Sequence, residues 1–345
     1  MSKLPFRAIG MYLEHPGVNL REALSFAALA EQRGFGISAV GEGWEDNYAL
    51  VGALCARTTQ VEVVSAIATW TRTPVAAALA ATTSAELSGG RYRLGLGAIP
   101  RSWSEAWHDI EYGDPVARMR DYVAAIRAAW RSRPGTPVDH EGPYYRFRGY
   151  ERPSPPPEAA IPLYLGACRQ RMTELAGEIA DGIVLSSTLP LGWLRDVSWP
   201  ALERGLEIAG RARSGFDVGS VVFCAIGEST PEARDRMRLC VAHHAVRFPD
   251  ITRGGGFETE LGAMQRGLAA GDPAMLAAGA SDAMVEAMAV VGTREEAREK
   301  LLRYRGLIDW PVLMPPLGLS PTESREQIER IIETFGLSSE REEGT

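Results

Sequence analysis

The chain has 345 residues, 45% of them hydrophobic and 23% charged, and a formal net charge of −7. That composition supplies a large core, and its acidic balance argues against a general nucleic-acid binder. No apolar run reaches the ~20 residues of a membrane span, and the first fifteen residues lack the apolar stretch and small-residue cleavage site of a secretory signal, so the chain reads as cytoplasmic.

The segments alternate. Residues 6–13 read as a first strand, and 20–33 as a helix with Leu20, Ala23, Leu24, Ala27 and Ala30 on one face. Residues 36–44 form a second strand, 47–58 a helix and 61–69 a third strand. A helix at 74–87 has proline in its first turn and stops at Ser88-Gly89-Gly90. Residues 91–98 are a fourth strand. Its Gly95 and Gly97 would let a ligand approach the backbone. A longer connection, 99–114, precedes a helix at 115–130. Residues 133–157, rich in proline, glycine and tyrosine, read as a surface excursion with a small hairpin around 144–147. Strand 161–167, helix 171–180, strand 181–187 and helix 191–211 follow. Residues 218–227 are a seventh strand and 231–248 a helix. An alanine-rich helical insertion covers 250–282. Thr293 and Glu296 make a capping box for the next helix. Residues 307–317 are an eighth strand and 320–335 a last amphipathic helix. One domain covers 1–337, and the charged tail 338–345 is expected to be disordered.

Strict alternation of this kind predicts an α/β protein with a parallel sheet, and eight pairs fit a (β/α)8 barrel. In such barrels the site lies at the C-terminal strand ends. Those ends hold Glu14 and His15; Glu42, Gly43 and Trp44; residues 66–70; residues 97–101; residues 166–170; Ser186 and Ser187; and Glu228. They contain no three-carboxylate or histidine-rich set, so no metal is expected, and no GxSxG elbow is present. Cys55, Cys168, Cys224 and Cys240 form no CxxC pair. Cys55, Cys224 and Cys240 read as core packing. The stretch GACRQRM (166–172) joins strand five to a helix N-terminus, where backbone N–H groups favour a phosphate and Arg169 adds charge. The same residues equally suit an ordinary connection with a solvated arginine. Trp44, Trp70, Trp103 and Trp107 either wall a substrate pocket or pack locally. His243-His244 has no third ligand in view.

Several stretches together resemble the bacterial luciferase-like superfamily: LSGGRYRLGLGA (87–98), Pro115 with Arg118-Met119-Arg120-Asp121-Tyr122, and IPLYLGACRQRMTELAGEIADGIVLSS (161–187). Arg72-Thr73-Pro74 and Val291-Gly292-Thr293 belong to the same pattern, which spans about residues 5–335. Within the superfamily the chain looks most like the branch that uses the deazaflavin coenzyme F420. The resemblance implies a (β/α)8 barrel with insertions, usually a homodimer, with the cofactor across the mouth. It puts a cis peptide near Ala66-Ile67, bulging against the ring, and Glu42 beside the ring or ribityl chain. Gly95 and Gly97 would leave room beneath the ring or its phosphate tail, with Gly97 and Ala98 against the cofactor. Gly166, Ala167, Cys168, Arg169 and Gln170 would cradle the phosphate, with Ser186 and Ser187 at the ring edge. The family often has Gly-Pro where this chain has Arg169-Gln170. Its FMN-dependent monooxygenases commonly carry a histidine pair just after the strand-two glutamate, where this chain has Gly43 and Trp44.

The expected function is an F420-dependent oxidoreductase that transfers a hydride between the deazaflavin and a small organic substrate. Glu14, His15, Glu42 and His108 are its candidate proton donors or acceptors. One alternative is a two-component monooxygenase, using reduced FMN from a separate cofactor-reducing enzyme. Another is a non-catalytic flavin-binding barrel. A third, a phosphate-binding barrel isomerase, is compatible with Gly292-Thr293 but lacks an evident Lys or Glu catalytic pair. The Gly95-Leu96-Gly97 motif is no dinucleotide fingerprint, because the third glycine is missing and the strand is the fourth of eight.

Overall fold

Short apolar runs bounded by glycine and polar residues become buried parallel strands, as expected when both faces are covered. A computed structural model describes residues 4–154, 160–187 and 189–337. Its barrel strands are β1 (Gly10–Tyr12), β2 (Ile37–Val40), β3 (Glu62–Ser65), β4 (Tyr92–Gly97), β5 (Leu163–Ala167), β6 (Gly182–Leu185), β7 (Asp217–Ile226) and β8 (Trp310–Met314). Each pairs in parallel with the next. Strand β8 also pairs with β1, Gly10 opposite Val312, and the sheet closes. This is the expected (β/α)8 barrel.

The outer layer follows from caps at the loop ends. Helices α1 (Leu20–Gln32), α2 (Asn47–Arg57) and α3 (Pro74–Leu87) start at Asn19, Asp46 and Thr73, whose side chains accept first-turn N–H groups. Then come α4 (Arg101–His108), α5 (Pro115–Trp130), α6 (Gln170–Ile179) and α7 (Trp199–Ile208). After β7 the chain forms α8 (Thr230–Arg247), α9 (Pro249–Gly254), α10 (Glu258–Ala269), α11 (Pro273–Ala278) and α12 (Asp282–Met288). Helix α13 (Arg294–Leu301) precedes β8, and α14 (Pro321–Phe335) follows it. Among the described residues no helix is long and apolar enough to cross a membrane.

The barrel interior is filled by large side chains. Trp310 lies where a Cβ on Gly219 would stand, with ring atoms 2.2 Å from that point. It packs beside Tyr164, ring centres 6.0 Å apart. Cys55, Cys224 and Cys240 are buried, as expected of core thiols.

Four departures from the expected elements matter. Strand β3 ends at Ser65, short of the expected residue 69, and Ala68–Thr69 makes a separate short pairing with Leu96 and Gly97, while the Ala66-Ile67 peptide between them is cis, as the resemblance implies. The connection 99–114 holds α4, whose Trp103 and Trp107 lie one turn apart. Beyond the insertion 250–282 and α12, a short strand, Ala289–Gly292, pairs with the last four residues of β7. Strand β7 therefore overruns the rim, because Ser220 pairs with the last residue of β6 and Phe223 with the last residue of β8. Its rim lies near Val221. Glu228 stands beyond it and pairs with Arg330 at 2.7 Å. The excursion 133–157 does form the expected hairpin, Val138–Glu141 against Arg146–Tyr150. Residues 155–159 and the tail 338–345 lie outside the described residues.

Candidate functional site

A cavity of about 890 Å³ opens at the C-terminal ends of the strands. Its walls are built from the strand ends upward. Asn47, fully buried in the first turn of α2, donates from Nδ2 to the carbonyls of Val40 (2.9 Å) and Gly41 (3.0 Å). Its Oδ1 accepts from Ser65 Oγ at 2.7 Å, and Ser65 Oγ meets Tyr92 OH at 2.7 Å. This buried polar chain ties the ends of β2, β3 and β4 together.

Two carboxylates stand above that tie. Glu42 Oε2 accepts the Thr69 N–H at 2.5 Å, and burial raises its pKa above the ordinary carboxylate value. Glu14 Oε1 accepts the N–H groups of Gly43 (3.2 Å) and Trp44 (3.0 Å), and its Oε2 accepts from Tyr12 OH at 3.3 Å. Glu14, Glu42, Trp44 and Tyr12 all line the cavity.

Ala66 and Ile67 line the adjoining wall. Space for Ile67 comes from glycines. A Cβ on Gly97 would lie 1.9 Å from Ile67 Cδ1, and one on Gly166 would lie 2.7 Å from its Cγ2. The expectation that Gly97 leaves room beneath a ring is thereby corrected. Gly97 lies behind Ile67, whose side chain occupies the space, while Ala98 reaches the cavity.

The β5–α6 connection forms the next wall, where Gly166, Ala167, Cys168, Arg169 and Gln170 all face the cavity. Helix α6 has no side-chain cap; the N–H groups of Met172 and Thr173 turn back to the Arg169 carbonyl, which leaves those of Gln170 and Arg171 without a helix partner. Arg169 is less free than its sequence suggests. It makes a two-pronged pair with Asp250, at 2.7 and 2.9 Å, and lies over Phe248. Burial pushes the Cys168 thiol up to about 11, which rules against a thiolate nucleophile. Ser186 and Ser187 complete this side. Among the described residues no three His, Cys, Asp or Glu side chains are grouped to hold a metal.

Four other expected site residues lie outside the cavity. His15 is buried with both ring nitrogens engaged: Nε2 is 2.9 Å from the Pro316 carbonyl, and Nδ1 accepts the Gly17 N–H at 3.1 Å. It has no nitrogen left for a substrate. His108 is exposed at the C-terminal end of α4, turned to solvent by that unpredicted helix. Trp70 is buried against Tyr112 beneath the wall. Of the indole pair on α4, Trp103 lines the cavity while Trp107 stacks on its outer side at 4.4 Å and is 61% exposed.

Sequence reasoning missed the histidine that does reach the cavity. His244 lines it from the last turn of α8. Its Nδ1 lies 2.9 Å from the Cys240 carbonyl, and its ring meets Phe223 edge to face at 4.7 Å. Burial, aided by Arg247 and His243, lowers its pKa to about 4. An unfolded chain takes up this proton near the ordinary value of about 6.5, whereas the folded chain does so only near 4. The unfolded state therefore holds more protons between those values, and stability falls as pH drops through that window. Replacing His244 by phenylalanine is expected to remove up to about 1.4 kcal/mol of this loss per pH unit. Urea unfolding of both proteins from pH 7 to pH 4 checks it; parallel stability curves would defeat the assignment.

The sequence family described as luciferase-like monooxygenase matches residues 4–309. A 5,10-methylenetetrahydromethanopterin reductase of Archaeoglobus fulgidus is 26% identical over 295 residues, which cover 83% of this chain and 86% of the reductase. An uncharacterized protein of Mycobacterium bovis is 33% identical over 218 residues, 62% of this chain and 64% of its own length, so the match spans under two thirds of that relative. The solved coenzyme F420 dependent tetrahydromethanopterin reductase from Methanopyrus kandleri superposes with a TM-score of 0.81 at 19% identity, covering 96% of this chain and 98% of that one. The oxygenating constituent of a Pseudomonas putida 3,6-diketocamphane monooxygenase, in complex with FMN, gives 0.68 at 18% identity, with the same coverage.

Proposed function

The chain belongs to the luciferase-like monooxygenase family, and we propose that within it the protein is an F420-dependent oxidoreductase that moves a hydride between the deazaflavin and a small organic substrate. The observation that carries this reading is the wall after β2. There Gly43 and Trp44 supply no imidazole, and their backbone N–H groups are both taken by Glu14. No imidazole stands beside Glu42, where the FMN-dependent monooxygenases of the family commonly carry a histidine pair. The reductase relative that aligns over 83% of the chain supports the same choice.

The residues present fit such a cofactor. A largely apolar cavity of about 890 Å³ suits a flat tricyclic ring. Ile67 is backed closely by Gly97 and Gly166, so it forms a firm face for that ring. The uncapped start of α6 offers N–H groups to a phosphate. Arg247, stacked over Trp103, adds a cation at the mouth.

When bound, the cofactor supplies a carbon that accepts or gives up a hydride. The chain's own residues hold the ring, keep water from the apolar part of the cavity and carry the accompanying proton. Glu42, with its raised pKa, is one group able to hold a proton closer to neutral pH. The same reading implies a homodimer with a small-molecule substrate and no nucleic-acid or membrane partner.

Titration of the purified chain with F420 and with FMN, followed by fluorescence or calorimetry, tests this. Micromolar F420 affinity is expected, with FMN weaker by at least about tenfold, a difference of about 1.4 kcal/mol. Tight FMN binding without F420 binding would overturn it. Oxygen uptake with reduced FMN and a separate reductase would then favour the monooxygenase alternative.

A further inference from the structure

Of the chain's five histidines, only His244 lines the cavity. Its ring is fixed in one sense. The Cys240 carbonyl can only accept, so Nδ1 carries the ring hydrogen and donates it at 2.9 Å. Nε2 then bears the lone pair. Edge-to-face contact with Phe223 at 4.7 Å holds the ring plane. The ring lies mostly within the wall of α8 and β7, with its remaining exposure toward the cavity.

We propose that His244 Nε2 recognises a hydroxyl on the substrate, so that the protein takes the alcohol, rather than the carbonyl compound, as its substrate at neutral pH. An acceptor nitrogen pairs with O–H and leaves a carbonyl oxygen facing a lone pair. The groups around it reinforce this bias. Arg247 shares its helix, and its positive charge disfavours a protonated ring. Across the cavity stand Glu14 and Glu42, which also accept when ionised, and Tyr12, whose hydroxyl is turned to Glu14. Asp250 is held by Arg169. The apolar lining from Ile67, Val221, Met314 and Leu317 suits a small hydrocarbon frame around the hydroxyl.

The redox half of the proposal rests on the function proposed above. The carbinol C–H bond breaks and its hydride passes to the oxidised deazaflavin, which is reduced. The O–H bond breaks, its proton leaves to water at the mouth, and a C=O bond forms. The substrate is oxidised to an aldehyde or ketone. That product has no hydrogen to give Nε2, so its hold on the site is weaker.

Diethyl pyrocarbonate, which modifies neutral imidazole nitrogen, provides the test on the native full chain, read by peptide mass spectrometry. His108 and His243 are exposed and serve as internal controls. His15, with both ring nitrogens engaged, should resist, and His140, whose Nε2 is held by Asp121, should react slowly. His244 should react. A series of small primary and secondary alcohols, each paired with its aldehyde or ketone, is then added. At least one alcohol should protect His244 at about three- to tenfold lower concentration than its partner, as one hydrogen bond predicts. The controls should be unaffected. An unreactive His244, or a series in which no alcohol outdoes its partner, overturns the proposal. F420 binding is measured separately by fluorescence. If F420 does not bind, the functional reading fails while the alcohol-to-carbonyl order is still read. If it binds, H244Q should lower kcat/KM for the protecting alcohol by about three- to tenfold and leave F420 affinity within about twofold. An unchanged kcat/KM would overturn the recognition role.

Discussion

Gly95→Ala is expected to lower the free energy of unfolding by about 3 kcal/mol, against about 1 kcal/mol for Gly97→Ala two residues on. The difference lies in what each new methyl group meets. On Gly95 it would stand 2.0 Å from the backbone oxygen of Ser65. That oxygen cannot retreat, because the Ser65 side chain is held by Asn47 and Tyr92 and β3 is laddered to β4. On Gly97 the methyl would meet the tip of Ile67, 1.9 Å away, which can turn to another rotamer. The open direction for Ile67 is the cavity. Gly97→Ala should therefore weaken cofactor binding more than stability, and Gly95→Ala the reverse. Urea unfolding with a cofactor titration measures both, and equal stability losses in the two variants would sink the argument.

Asn47→Ala should cost about 2–4 kcal/mol, also read by urea unfolding. Asn47 makes three buried hydrogen bonds, and its loss leaves the Gly41 carbonyl without the partner found here. Buried polar groups stripped of partners carry a desolvation penalty that a surface asparagine does not. The damage should reach the cavity, because Gly41 precedes Glu42 in the wall. Cofactor affinity should fall along with stability. A loss below about 1 kcal/mol would mean that solvent replaces the side chain readily.

The barrel was legible because parallel strands buried on both faces are apolar runs with sharp ends, and residues such as Pro74 and Thr293 mark the helix starts. The β5–α6 wall was legible as well, since all five expected residues from Gly166 to Gln170 face the cavity. Depth and distant pairing were harder to read. His15 stands next to Glu14 in sequence, yet its ring turns to the β8 end and is used up there. Arg169 meets a carboxylate 81 positions away, a separation that no local pattern encodes. The overrun of β7 arises from register with its neighbours, which hydrophobicity does not report. His244 is brought to the rim only because α8 and the helices after it fold back over the mouth, so its distance from strand seven in sequence was misleading.

Closure of the sheet by β1 against β8 also bears on how the chain is made. The N–H and C=O groups along one edge of β1 find their partners in Val312 and Leu313, roughly 300 residues downstream. At about 5–20 residues per second a ribosome needs about 15–60 s to supply them. For that interval the first strand is an open edge of the kind that recruits foreign strands. The contacts that finish the ring, including Arg325 with Glu22 and the Leu337 N–H with the Arg33 carbonyl, form only once those later segments have been made. Translation is thus a stage at which this architecture is exposed to aggregation.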